Sequence, residues 1–273
     1  MASSNTKQRK IALVIGNSNY NQSPLDNCVN DAKDLSKALK TIGFSVTTET
    51  DLNHEDMEKG IDDFSRSIRA GDLVLFFFSG HGIQREEQNY LIPCDDNRIQ
   101  ALSDLKYRAI NAQRTLELMI DNDPFLIVYL LDCCRTYRLP NVPKSKSLSS
   151  SSTGMAAMPA KAGMLIAFAC APGTIAADTA PNGRNGMFTY HLLQNITRPG
   201  EDITLMLIDV TNGVVTDSKG KQIPYTTSAL TQRGICLAPH QEKPTQPTKE
   251  PARSAQSILT SAWQGQYRYI LIK

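Results

Sequence analysis

The stretch Phe125-Leu-Ile-Val-Tyr-Leu-Leu-Asp-Cys-Cys-Arg135 decides how this chain folds. Its first seven residues form an apolar run too short for a typical helix and rich in strand-formers, so they read as a buried strand. A parallel strand that ends in a thiol sets the sulfur at the carboxyl edge of a sheet, where open α/β folds place their ligands. A second stretch has the same form. Asp72-Leu-Val-Leu-Phe-Phe-Phe78 is apolar after its first residue and runs into Ser79-Gly80-His81-Gly82, a histidine between glycines. Were these two strands neighbours, His81 would meet Cys133 or Cys134.

Upstream of both, residues 11–15 (Ile-Ala-Leu-Val-Ile) predict another buried strand, closed by Gly16. From Asp26 to Ile42, Val29, Ala32, Leu35, Ala38, Leu39 and Ile42 recur at helical spacing, and Gly43 suits the position after a helix. Residues 44–50 alternate and are rich in threonine and valine, which predicts a strand. Asn53 then caps a helix over 54–69 with Met57, Ile61, Phe64 and Ile68 inward. Beyond the His81 loop, residues 84–88 predict a turn and 89–93 a short hairpin arm. Residues 95–108 read as irregular, and Asn111 caps a short helix to Ile120. Strand and helix alternate, which predicts a mostly parallel, doubly wound sheet flanked by helices, an α/β/α sandwich.

Residues 138–162, with Pro140, Pro143, Lys144, Lys146 and four serines at 149–152, are too polar to pack and predict a flexible linker. Structure resumes with a small buried strand at 163–169, helices over 187–197 and 203–216, and an edge strand at 222–228, where Pro224 is tolerated. Prolines, glutamines and charges at 239–253 mark a second linker, and 267–272 reads as a strand whose partner is not identified.

The 273 residues are 41% hydrophobic, ample for a core, and the formal net charge of +2 is dispersed. That excludes a basic stripe for nucleic acid or a polybasic membrane patch. The amino terminus lacks an apolar leader and no run approaches the roughly 18 apolar residues of a membrane span, so a soluble, cytoplasmic protein is expected. Six scattered cysteines offer no disulfide framework and no zinc spacing, and neither a metal nor a cofactor is expected.

A thiol attacks only as thiolate, and an adjacent imidazole can take its proton. Taken singly, a strand-end cysteine is usually structural and a histidine in a glycine loop a turn residue. Strand alternation alone does not choose between Cys133 and Cys134. Together, Ser79-Gly80-His81-Gly82 and Asp132-Cys133-Cys134-Arg135 resemble the histidine and cysteine motifs of the caspase-like cysteine peptidases. The 53-residue interval from His81 to Cys134 is close to the roughly 50 residues that separate them in caspases. The resemblance runs from about Lys10 to Ala238 and includes Gly16-Asn17-x-x-Tyr20, Asn89-Tyr-Leu-Ile-Pro93 and Gly186-Met-Phe-Thr189.

What that resemblance implies is a caspase-like fold and a cysteine endopeptidase with Cys134 as nucleophile and His81 as its base. The N–H groups of Gly82 and Cys134 would form the oxyanion hole. It implies residues 10–137 as a large-subunit-like half, 138–162 as the intersubunit linker, 163–238 as a small-subunit-like half of the same domain, and 239–273 as a linker and tail. Asp-x-Cys-Arg is most similar to paracaspases, whose acidic pocket receives arginine, and the acidic positions match Asp31, Asp132 and Asp178. Protein cleavage after arginine, then lysine, is therefore expected. The alternatives are an aspartate-specific true caspase and a catalytically silent scaffold. Self-cleavage in the linker at Arg138, Lys144, Lys146 or Lys161, and a homodimer through the edge around Gln222 to Leu230, also follow from the resemblance.

Overall fold

The computed structural model describes residues 8–134, 155–171 and 179–240, with backbone alone at Cys134. Asp178, the serine-rich part of the linker with Arg138, Lys144 and Lys146, and the expected strand at 267–272 lie outside the described residues.

In chain order the elements are β1 (Lys10–Gly16), α1 (Cys28–Thr41), β2 (Ser45–Thr50), α2 (His54–Ser67), β3 (Leu73–Arg85), β4 (Gln88–Leu91), α3 (Leu105–Arg108), β5 (Ile110–Asn111), α4 (Ala112–Ile120), β6 (Leu126–Cys134), β7 (Met164–Phe168), α5 (Met187–Asn195), α6 (Ile203–Asp217) and β8 (Tyr225–Ser228). The main sheet has the order β2-β1-β3-β6-β7-β8, parallel except for the antiparallel β8 at its edge. Alternation along its buried strands makes two cores. Val14, Leu75, Phe77, Val128 and Leu130 face α1, α5 and α6 through Leu35, Phe188 and Val210. Leu13, Phe76, Phe78, Tyr129 and Leu131 face α2 and α4 through Met57, Ile61 and Leu116. Each such side chain withdrawn from water contributes about 1.5–3 kcal/mol, and the three-layer α/β/α architecture is the arrangement that buries both faces of the sheet.

The helix starts follow local chemistry. Asn53 Oδ1 accepts the Asp56 N–H at 2.9 Å, and Asn111 Oδ1 accepts that of Arg114 at 2.9 Å. Two segments differ from the expectation. β3 does not stop with its apolar run at Phe78 but continues to Arg85, because the strand changes partner. It leaves β6 at His81 and from Gly82 pairs antiparallel with β4. Residues 155–162, counted with the flexible linker, lie against the sheet. Met155 and Met158 are 3% and 1% exposed and belong to the core that contains Phe78 and Cys133. Two methionines at this spacing supply apolar surface that the serine tract lacks.

Candidate active site

β1, β3 and β6 are adjacent and end together, and the register of their pairing fixes what meets at the carboxyl edge. Gly16 is opposite Ser79 across β1 and β3, Ser79 is opposite Asp132 across β3 and β6, and His81 is opposite Cys134. Cys133 is buried with Leu131 in the core on the α2 and α4 side. Position 134, one residue on, has the parity of Asp132 along the strand.

Tyr20 holds the His81 segment from one side. Its hydroxyl accepts the His81 backbone N–H at 2.9 Å and donates to the Ile92 carbonyl at 3.1 Å, while the two rings lie 4.4 Å apart. Burial, and after it the nearby Cys28, pushes the Tyr20 hydroxyl well above the usual tyrosine range, so it stays neutral and keeps its proton to donate. Gly80 is required here, since a Cβ would strike that hydroxyl and the Phe78 ring. The histidine itself is 3% exposed, and its Nε2 lies 2.6 Å from the Ser23 carbonyl. A carbonyl only accepts, so Nε2 carries the hydrogen, and in the neutral form of the ring the lone pair is on Nδ1.

Two carboxylates come together one step deeper along the sheet edge. Asp31, on α1, is 1% exposed. Its Oδ1 accepts from Asn185 Nδ2 and from the Gly186 N–H, each at 3.0 Å, and its Oδ2 accepts from Ser79 Oγ at 3.0 Å. Asp132, on β6, accepts from Thr189 Oγ1 at 2.6 Å. Both Oδ2 atoms lie 3.3 Å from the point that a Cβ on Gly186 would occupy, so a side chain there would crowd both carboxylates. Burial, and next the Asp132 charge, pushes the Asp31 carboxyl up to about 7 in spite of three hydrogen bonds that favour the anion.

The turn that carries Gly186 is itself braced. Asn182 Oδ1 accepts the Arg184 and Asn185 N–H groups at 3.1 and 3.2 Å, and Asn182 Nδ2 donates to Asn185 Oδ1 at 2.8 Å. Arg184 reaches across to α1 with a two-pronged ion pair to Asp34, at 2.7 and 2.9 Å, which holds the Asp34 carboxyl below the usual carboxylate range. Among the expected site residues, then, Asp31 and Asp132 converge, His81 and Cys134 are in register, and Gly82 follows His81 on β3. Ser79, Asn185, Gly186, Thr189 and Tyr20 surround them, and no role was read for these from the sequence. Ser79, Gly186-Met-Phe-Thr189 and Tyr20 did stand inside the recognised motifs, which was the available signal. Among the described residues no group of three or more His, Cys, Asp or Glu side chains is placed to hold a metal ion, and no helix is long and apolar enough to cross a membrane.

A family model for the caspase domain matches residues 9–234. The chain belongs to that family. As a caspase-domain protein it is 27% identical over 239 residues to human mucosa-associated lymphoid tissue lymphoma translocation protein 1, covering 85% of this chain and 27% of that protein. The mouse homolog is 26% identical over 242 residues, covering 86% of this chain and again 27% of the relative. The chain thus spans about a quarter of the length of these relatives. Among solved structures, the crystal structure of caspase-1 from Spodoptera frugiperda superimposes with a TM-score of 0.62 at 22% identity, covering 86% of this chain and 94% of that one. That likeness is one of fold. The caspase-like recognition, read from the motifs, and the mostly parallel sheet flanked by helices, read from the alternation of strands and helices, are therefore met, and the chain is a caspase-family peptidase domain.

Proposed function

We propose that this caspase domain is an endopeptidase that cleaves proteins after arginine and, less well, after lysine. The observation that carries the reading is the meeting of Asp31 and Asp132 beside Gly186, next to the strand ends where His81 and Cys134 are in register. A guanidinium is planar, always charged and able to bond two carboxylates at once. A lysine ammonium offers one point of charge, and an aspartate at the same place would face two carboxylates, which disfavours the aspartate-specific reading. Asp178, which lies outside the described residues, is proposed as a third acidic contact.

In the proposed reaction His81 takes the Cys134 proton through Nδ1, while its Nε2–H remains on the Ser23 carbonyl. The thiolate attacks the carbonyl carbon after the basic residue, and the Gly82 and Cys134 N–H groups stabilise the developing oxyanion. The imidazolium then protonates the leaving amine, a thioester remains on Cys134, and water activated by His81 releases the carboxylate product. The Tyr20 ring contact and the Nε2–H bond to the Ser23 carbonyl support this sequence, since they restrict how the imidazole can turn.

The deciding experiment is hydrolysis of fluorogenic peptides differing only in the residue before the scissile bond (Arg, Lys, Asp, Leu) by the purified chain, Cys134→Ala and Cys133→Ala. Cleavage after arginine that disappears with Cys134→Ala and survives Cys133→Ala is the expected result. Cleavage after aspartate would overturn the acidic pocket. No cleavage of any peptide by a chain shown to be folded would leave the scaffold reading instead.

A further inference from the structure

We propose that residues 155–158, which follow the serine-rich linker, are a positioning strap that sets the backbone of Gly82 and ties it to the β8 edge. The inference rests on the peptidase reading and concerns how its oxyanion site is held in place.

Four contacts define the strap. Asn89, fully buried on β4, clasps the backbone of Ala156 with both ends of its amide. Ala156 N–H donates to Asn89 Oδ1 at 2.7 Å, and Asn89 Nδ2 donates to the Ala156 carbonyl at 2.9 Å. A side chain here makes the two bonds that a neighbouring strand would otherwise make. Asn89 is fixed in turn, because its own N–H donates to Gln113 Oε1 at 2.9 Å. The clasp places Met155 directly on Gly82: the sulfur lies 3.1 Å, and Cys133 Cβ 3.0 Å, from where a Gly82 Cβ would stand. Gly82 is thereby packed between the strap and β6, one residue after His81 and at the point where β3 changes partner. At the far end Thr227 Oγ1, on β8, donates to the Met158 carbonyl at 3.0 Å. β8 and Gly82 belong to different parts of the sheet, and these four residues join them.

A donor N–H helps an oxyanion only if it is already aimed at it, and a displacement of about 1 Å in such a group is enough to cost on the order of 100-fold in rate. Gly82 has no side chain of its own and stands at the first pair of the β4 ladder, so packing adds to what the ladder fixes. Met155 supplies it, Asn89 anchors Met155, and Thr227 passes the state of the β8 edge to the same residue.

The test uses the full chain with Asn89→Ala, Met155→Ala, Met155→Leu and Thr227→Val. For each, kcat and KM are measured on a peptide with arginine before the scissile bond. The rate at which iodoacetamide alkylates Cys134 is followed by peptide-mass mapping, and a melting temperature is recorded. Alkylation joins the thiolate sulfur to the methylene carbon as iodide leaves, and needs the Cys134–His81 pair but no oxyanion donor. The expected result is a kcat lowered about 10-fold in Asn89→Ala and Met155→Ala, with KM and alkylation held within about twofold, and most of kcat restored in Met155→Leu. Thr227→Val lowers kcat in the same direction and serves if Asn89→Ala does not fold. Unchanged kcat in Thr227→Val and Met155→Ala overturns the proposal. So does alkylation that falls in step with kcat, since the strap would then support the thiol and not the oxyanion site. A wild-type chain whose Cys134 is alkylated but which cleaves no peptide fails the peptidase reading itself, and this inference with it.

Discussion

Burial and the Asp132 charge set the Asp31 carboxyl at about 7, against roughly 3.9 for an aspartate in the unfolded chain. Because the folded value is the higher one, ionising Asp31 costs stability, and its contribution falls as pH rises from about 4 through 7. On the proposed reading, the same ionisation creates the charge that a substrate arginine needs. Between pH 6 and 8 the KM for an arginine peptide should therefore fall while KM for a peptide with leucine at that place does not, and Asp31→Asn should abolish the dependence. Asp31→Asn should also raise the melting temperature at pH 8, by about 2–4 °C for each kcal/mol regained, because an amide can bond Asp132 without adding charge. A lower melting temperature in Asp31→Asn would show that the carboxylate is needed for folding. Much of this was out of reach of the sequence. Asp31 was legible as an acid on the first turns of a helix, but Asn185, 154 positions away, and Gly186 and Thr189 are small residues whose meaning comes from what the fold brings to them. Asp132 was more legible, since an acid ending a buried strand needs a partner.

At the scale of elements, the long buried strands were legible because seven apolar residues in succession leave few alternatives, and their order followed from alternation with amphipathic helices. The continuation of β3 was not. Ser79-Gly-His-Gly82 has the composition of a loop, and only pairing with β4 makes it a strand. The hairpin that achieves this turns at Glu86 and Glu87, with φ of 51° and 61°. Two successive residues of positive φ are what a tight hairpin turn demands, and Asn-Gly meets that demand with far less strain than Glu-Glu. Replacing both, as Glu86→Asn with Glu87→Gly, should stabilise the protein by about 1 kcal/mol, since the exposed Arg85–Glu86 ion pair that is lost contributes little. Chemical denaturation checks this, and a reduced midpoint would mean that the glutamates hold the turn through contacts of their own. Within the interval read as linker, Met155 and Met158 are core residues, which its polar and serine-rich composition did not announce.

At the scale of the whole molecule, β8 ends the sheet. Among the described residues it pairs with β7 alone. Beside it Ile208 and Ile223 are 51% and 43% exposed, and Leu207, Ile208, Pro224 and Thr226 line a shallow groove of about 250 Å³. An open edge next to exposed apolar side chains favours a second copy of the chain laid antiparallel along β8, as the resemblance to caspase-like peptidases implies. Sedimentation should find a concentration-dependent dimer that Ile208→Glu shifts to monomer, and a monomer at every concentration in the unaltered chain would remove that edge from the account.

The acidic pocket draws on both sides of the linker: Asp31, Ser79 and Asp132 come before it, and Asn185, Gly186 and Thr189 after it. β6 and β7, the strands that flank the linker in sequence, are already neighbours in the sheet. Cutting the backbone between them would separate the chain without separating the molecule. Two shorter polypeptides would each present the other with its missing core, and a guanidinium bound between Asp31 and Asp132 would act as a rivet through the seam, so that inhibitor affinity and fragment cohesion would rise and fall together.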